Sequence, residues 1–185
     1  MTVPNLLSAA RLAGVPVFLW LLLGPRWDLA ALLLLVASGF TDWLDGKLAR
    51  WLNQYSRIGE LLDPAADRLY TIAILVAFVV RDIVPWWVAA LLIGRDLVMG
   101  LALPVLRYFR FEPPEVHYLG KAATFCLMYA FPLLLLLQVD LAIPEVVIAV
   151  AYAFTIWGGA LYVWSGLLYL FQVGFALRAR NRSVS

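Results

Sequence analysis

The sequence predicts an all-helical membrane protein, a bundle of six spans with both termini in the cytoplasm, and three observations lead there. Hydrophobic residues make up 64% of the 185 residues, charged residues 14%, and the mean hydropathy is +0.89. A soluble domain runs near half apolar and a quarter charged, and a globule this small has no interior large enough for the excess. Apolar runs recur along the chain at about 20 residues, the length a helix needs to cross the hydrocarbon core. No stretch alternates with a period of two, and only helices and closed barrels cross lipid. Eight Trp and eight Tyr agree with a bilayer, because amphipathic rings collect at its interfaces.

The six runs follow in order. The first covers Leu6 to Leu23 and carries one charged residue, Arg11. It has no charged leader and no small-residue cleavage site, so it reads as a retained span. The second covers Leu29 to Leu52 and the third Pro64 to Val80; the acidic residues discussed below fall at their facing ends. The fourth, Trp86 to Leu106, carries Arg95 and Asp96 in its middle. The fifth, Leu119 to Val139, opens on Lys121 and contains Cys126. That cysteine is alone in the chain, so it forms no intrachain disulfide and reads as a small apolar residue. The sixth covers Val146 to Val173, and its Gly158-Gly159 pair permits close helix packing. The links Gly24-Pro25-Arg26-Trp27 and Arg81 to Pro85 are short, which makes the helices they join antiparallel neighbours. No repeat or composition break divides the chain, so residues 1–185 read as a single membrane domain.

Basic residues orient the spans. With both termini on one side, that side receives Arg11, Lys47, Arg50, Arg57, Arg68, Arg107, Arg110, Lys121, Arg178, Arg180 and Arg182. The other side receives Arg26 and Arg81. The asymmetry puts the termini in the cytoplasm. A net charge of +2 carries no nucleic-acid footprint.

The chemistry is concentrated between Thr41 and Arg68. Asp42 and Asp45 are three residues apart and Asp63 and Asp67 four, so each pair shares a helix face. The segment Trp51 to Ile58 is short enough to fold the two helix ends together near the cytoplasmic surface. Four converging carboxylates repel unless cations neutralise them, and carboxylate oxygens suit hard divalent ions: magnesium, manganese or calcium. A cluster of this type holds two metals and stabilises the attacking and leaving oxygens of phosphoryl-type transfer. Gly46 and Ala49 are small and allow close approach of a ligand, and Arg50, two turns beyond Asp42, is placed to bind a phosphate oxygen. The bland alternative is four surface acids paired with Lys47, Arg50, Arg57 and Arg68. Acids set in apolar helices are costly, however, and default to function.

The pattern D-x2-D-G-x2-A-R-x8-G-x3-D-x3-D is complete from Asp42 to Asp67. It resembles the signature of the CDP-alcohol phosphatidyltransferases. Val3-Pro4-Asn5-Leu6-Leu7-Ser8 with Arg11, Asp63-Pro64 followed by Ala66-Asp67, Gly94-Arg95-Asp96 and Gly120-Lys121-Ala122-Ala123-Thr124-Phe125 are similar to the branch of bacterial phosphatidylglycerophosphate and cardiolipin synthases, the actinobacterial cardiolipin synthases above all. The resemblance implies that Asp42, Asp45 and Asp63 bind metal, Mg2+ or Mn2+ and two ions in all, with Asp67 both completing the site and acting as general base. It implies that Gly46, Arg50 and Ser56, with the backbone near Pro4 and Asn5, contact the CDP part of the lipid. It also implies a homodimer of six-span subunits in the cell membrane (plasma or inner), with the active site open to the cytoplasm.

Two acceptors fit. Phosphatidylglycerol gives cardiolipin, and glycerol 3-phosphate gives phosphatidylglycerophosphate; the resemblance favours the first. Both are anionic, so Arg95 and Lys121 are candidates to hold either one. Arg95 otherwise pairs with Asp96 or a neighbouring helix, and Lys121 otherwise snorkels at the interface. A reading from another class, a cation transporter, also uses intramembrane carboxylates. The clustering of all four acids near one membrane face, with no second set toward the other, argues against it.

Overall fold

In the computed structural model the described residues are 3–52, 57–108 and 118–183, with side chains described over 9–42, 44, 47, 66–101, 118–172 and 174. They form six α-helices and no strand: α1 Val3–Leu23, α2 Asp28–Leu52, α3 Arg57–Val80, α4 Trp86–Tyr108, α5 Tyr118–Leu136 and α6 Glu145–Ser183. The apolar runs locate all six. Most boundaries agree within three residues of the sequence expectation, and two differ by more. The third helix starts at Arg57, because Arg57 to Asp63 is polar yet helix-compatible, and hydropathy cannot see a polar helical turn. The sixth continues ten residues past Val173, through the Arg-rich tail to Ser183. At 39 residues it is about 58 Å long, roughly twice a hydrocarbon core.

Among the described residues, two stretches are long and apolar enough to cross a membrane, Tyr118–Leu136 and Glu145–Gln172; Ala9–Leu23 is a shorter apolar helix. Most of the two longer stretches is unburied, which a soluble core helix would not tolerate. Large apolar side chains such as Leu33, Leu101, Ile156, Trp157 and Phe171 are mostly exposed. Such a surface matches lipid as its solvent.

Residue contacts group the chain into two units, 1–85 with 131–144, and 86–130 with 145–185. In the first, α1 packs on both α2 and α3. The Ser38 hydroxyl of α2 donates to the Tyr70 hydroxyl of α3 at 3.1 Å, and Gly14 of α1 faces both side chains. One turn on, Phe18 packs on Tyr70 with ring centroids 5.9 Å apart, and below it Leu22, Ala31, Leu75 and Phe78 are fully buried. Phe131 meets Phe78 edge to face at 6.1 Å.

The short links end this unit in two left-handed residues, Arg26 and Asp82, both at φ 56°. Asp82 closes α3 in a Schellman arrangement: its amide donates to the Val79 carbonyl, and the Ile83 amide to that of Phe78. Beside it Arg81 donates to both Asp28 oxygens, at 2.7 and 3.2 Å, and to the Leu22 carbonyl at 2.9 Å. One guanidinium thus ties the end of α1, the start of α2 and the end of α3.

In the second unit α4 packs on α6. A Cβ at Gly158 would lie 3.0 Å from the Cβ of Cys126, so this glycine lets α6 approach α5, while Gly159 faces open space. Tyr129 stacks between Phe125, at 4.9 Å, and Phe154, at 5.8 Å.

Candidate active site

At the opposite end of the first unit from Arg81, the three helices meet again in charge. Arg11 is set among apolar neighbours two turns into α1, where an unneutralised guanidinium would be expensive. Its Nη1 lies 2.5 Å from Oδ1 of Asp42 on α2 and donates to Oδ1 of Asp67 on α3 at 2.9 Å. The Arg11 side chain is 2% exposed, whereas Asp42 and Asp67 are 46% and 55% exposed. The cation is therefore sealed inside the helix packing, and the carboxylates open outward from it. The Thr41 hydroxyl, beside Asp42, donates to the Ser38 carbonyl at 2.9 Å.

Two of the four sequence-predicted acids are thus brought together across two helices. The two oxygens share one nitrogen, so they stand no farther apart than the sum of those two distances. Asp45 is on α2 one turn beyond Asp42, and Asp63 is on α3 one turn before Asp67. Their side chains lie outside the described residues, as do those of Pro4, Asn5, Gly46, Ala49 and Arg50, and all of Ser56. Among the described residues no three His, Cys, Asp or Glu side chains gather as a metal site. Asp42 and Asp67 are half exposed beyond their contact with Arg11, and carboxylate oxygens are the donor type that a hard divalent cation takes.

Arg11 as the partner of Asp42 and Asp67 escaped the sequence, where the bland alternative paired the acids with Lys47, Arg50, Arg57 and Arg68, and Arg11 entered through orientation and the family resemblance. A signal was present. A single arginine in an otherwise apolar span demands a counter-charge, and the acids at the ends of the next two helices are the available ones.

Arg95 and Asp96 interrupt α4 as expected, and they pair: Nη1 of Arg95 donates to Oδ1 of Asp96 at 3.0 Å, with side chains 16% and 18% exposed. The Tyr162 hydroxyl of α6 also donates to that oxygen. Nη2 of Arg95 donates to the Ser165 hydroxyl at 3.3 Å, and the guanidinium sits 4.2 Å from the Tyr162 ring centroid. Lys121 is exposed at the start of α5, its Nζ 5.6 Å from the ring of Tyr118.

A family model for CDP-alcohol phosphatidyltransferases matches residues 1–157, which include all four acids and the complete signature. The chain belongs to the CDP-alcohol phosphatidyltransferase family. It is 50% identical over 184 residues to a cardiolipin synthase (CMP-forming) of Streptomyces coelicolor, covering 97% of this chain and 86% of the relative. It is 32% identical over 179 residues to the CDP-diacylglycerol–glycerol-3-phosphate 3-phosphatidyltransferase of Bacillus subtilis, covering 86% of this chain and 92% of the relative. A cardiolipin synthase (CMP-forming) of Rattus norvegicus is 35% identical over 115 residues, 62% of this chain and 38% of the relative. As a phosphatidyltransferase, the chain is a transferase of phospholipid biosynthesis, and its acid cluster lies on the helices that carry the family signature.

Proposed function

We propose that the chain transfers the phosphatidyl group of CDP-diacylglycerol to a hydroxyl of phosphatidylglycerol, giving cardiolipin and CMP. The observation that carries the reading is the convergence of Asp42 and Asp67 inside a complete family signature. The 50% identity to a relative named as a cardiolipin synthase supports the acceptor. The 32% identity to a CDP-diacylglycerol–glycerol-3-phosphate 3-phosphatidyltransferase keeps that acceptor as the second reading.

Asp42, Asp45, Asp63 and Asp67 would hold two divalent ions, Mg2+ or Mn2+. When bound, such ions neutralise charge on the diphosphate and its transition state. Asp67 takes the proton of the acceptor hydroxyl. The acceptor oxygen forms a bond to the phosphorus nearer the diacylglycerol, and the bond from that phosphorus to the oxygen of CMP breaks. Arg50 sits by the departing phosphate, and Gly46, Ala49, Ser56 and the backbone at Pro4 and Asn5 hold the nucleotide. Arg95 and Lys121 hold the anionic acceptor. Most of the acceleration comes from positioning and fixed charge.

The six helices are six spans, both termini cytoplasmic, with the acids at the inner face of the cell membrane, and the subunits form a homodimer. The asymmetry of basic residues between the two sides supports the orientation. Purified protein given CDP-diacylglycerol with each acceptor in turn tests the function. Cardiolipin and CMP from phosphatidylglycerol is the expected result; product from glycerol 3-phosphate alone would overturn the choice of acceptor.

A further inference from the structure

Adjacent residues on a helix point about 100° apart, so Arg95 and Asp96 do not meet by helical geometry alone. They meet on the flank of α4 that packs against α6, and α6 supplies four features that hold them there. The Tyr162 hydroxyl donates to the same Asp96 oxygen that accepts from Arg95. The Tyr162 ring lies under the guanidinium, 4.2 Å from its central carbon. Ser165 accepts from Nη2, and its own hydroxyl donates to the Tyr162 carbonyl at 2.8 Å, which fixes the acceptor's direction. Gly166 leaves the space through which the Arg95 stem runs: a Cβ there would stand 2.7 Å from the Arg95 Cγ.

A salt bridge that only neutralised Arg95 would need none of this. One tyrosine serves the pair twice, by hydroxyl and by ring, and one glycine is shaped to the arginine's aliphatic stem. The clamp also leaves donors over. A guanidinium has five N–H groups. Two are committed, to Asp96 and Ser165, and buried Nε has no hydrogen-bond partner among the described residues. A guanidinium held rigid on one side, with N–H groups left over on its two Nη atoms, is preorganised to bind the oxygens of a phosphate or a phosphodiester.

We propose that Tyr162, Ser165 and Gly166 of α6, with Asp96, are positioning residues that set the Arg95 guanidinium for the phosphate of the acceptor. The proposal rests on the reading of Arg95 as the residue that holds the acceptor. It makes α6 the element that tunes acceptor affinity, while the acids on α2 and α3 serve the CDP-lipid and the transfer itself.

Steady-state kinetics on the full chain in mixed micelles tests it, with CDP-diacylglycerol and either phosphatidylglycerol or glycerol 3-phosphate. The variants are Arg95→Gln, Tyr162→Phe, Tyr162→Leu, Ser165→Ala and Gly166→Ala, with unfolding followed in parallel. Tyr162→Phe keeps the ring and loses one hydrogen bond, so the acceptor KM rises roughly three- to tenfold. Tyr162→Leu loses the ring as well and raises it further. The KM for CDP-diacylglycerol stays at the wild-type value in all of them. Gly166→Ala either raises the acceptor KM in the same way or fails to fold; the milder Tyr162→Phe and Ser165→Ala carry the test in that case. If Arg95→Gln raises the acceptor KM while Tyr162→Phe, Tyr162→Leu and Ser165→Ala do not, α6 merely packs and the positioning role is refuted. If Arg95→Gln itself leaves the acceptor KM unchanged, the reading of Arg95 fails and the proposal falls with it.

Discussion

Replacing Arg11 by Met keeps most of the side chain's volume and removes its charge, and the structure sets the size of the effect. Two opposite unit charges about 4 Å apart are worth about 4 kcal/mol at an effective dielectric of 20 and about 1 kcal/mol in bulk water. Arg11 is sealed, but Asp42 and Asp67 are each about half exposed, so each contact belongs midway, near 2 kcal/mol. The buried cation is what disappears; the charges left behind face water and are partly solvated, so the full penalty of a stranded buried charge does not apply. Met also recovers some apolar contact. The expected loss is about 3 kcal/mol. Titration of the folded protein with SDS in mixed micelles measures it. A double-mutant cycle with Asp67→Asn separates the contact from general packing, and the coupling should be roughly 1–2 kcal/mol. Arg11→Lys should recover part of the loss, since one ammonium is a point charge and lacks the guanidinium fork. Wild-type stability in Arg11→Met, or strict additivity with Asp67→Asn, would refute the claim that this residue joins the three helices at the site.

Two further outcomes follow from the same packing and chemistry. Asp67→Asn should fold and bind CDP-diacylglycerol but lose about 10²–10⁴ in turnover, the range of a removed general base; wild-type turnover in a CMP-release assay rules out that role. Arg81→Gln strands Asp28 and frees the Leu22 carbonyl at the far end of the unit, so unfolding should become easier by about 3 kcal/mol while turnover per folded molecule holds; a selective loss of turnover would contradict a structural role.

What the chain shows before it folds is uneven, for physical reasons. Apolar runs mark helices in lipid because each span must satisfy its own backbone, so all six elements were legible. The polar start of α3 was not, because hydropathy is blind to a helical turn that carries Gly59 and Glu60. Spacing placed Asp42 and Asp67 at facing helix ends, and the structure brings them together. The residues that hold them were hidden by distance. Arg11 is 56 positions from Asp67, and Arg81 is 53 from Asp28, and periodicity within one helix says nothing of which helix it will meet. The pairing of Arg95 with Asp96 was open in the sequence as one alternative, because they are the two charged residues of the fourth span. That Tyr162, Ser165 and Gly166 would hold them was not, since those residues look like ordinary members of an apolar run.

The central claim is that acids from α2 and α3 converge to hold divalent cations for phosphatidyl transfer, and Mn2+ binding tests it most directly. Electron paramagnetic resonance of purified protein titrated with Mn2+ should show two bound ions per chain, released by excess Mg2+ and sharply weakened in Asp42→Asn, Asp45→Asn and Asp63→Asn, with cardiolipin formation lost in parallel. Mn2+ binding that is absent in the wild type, or unchanged when those carboxylates are removed, contradicts it.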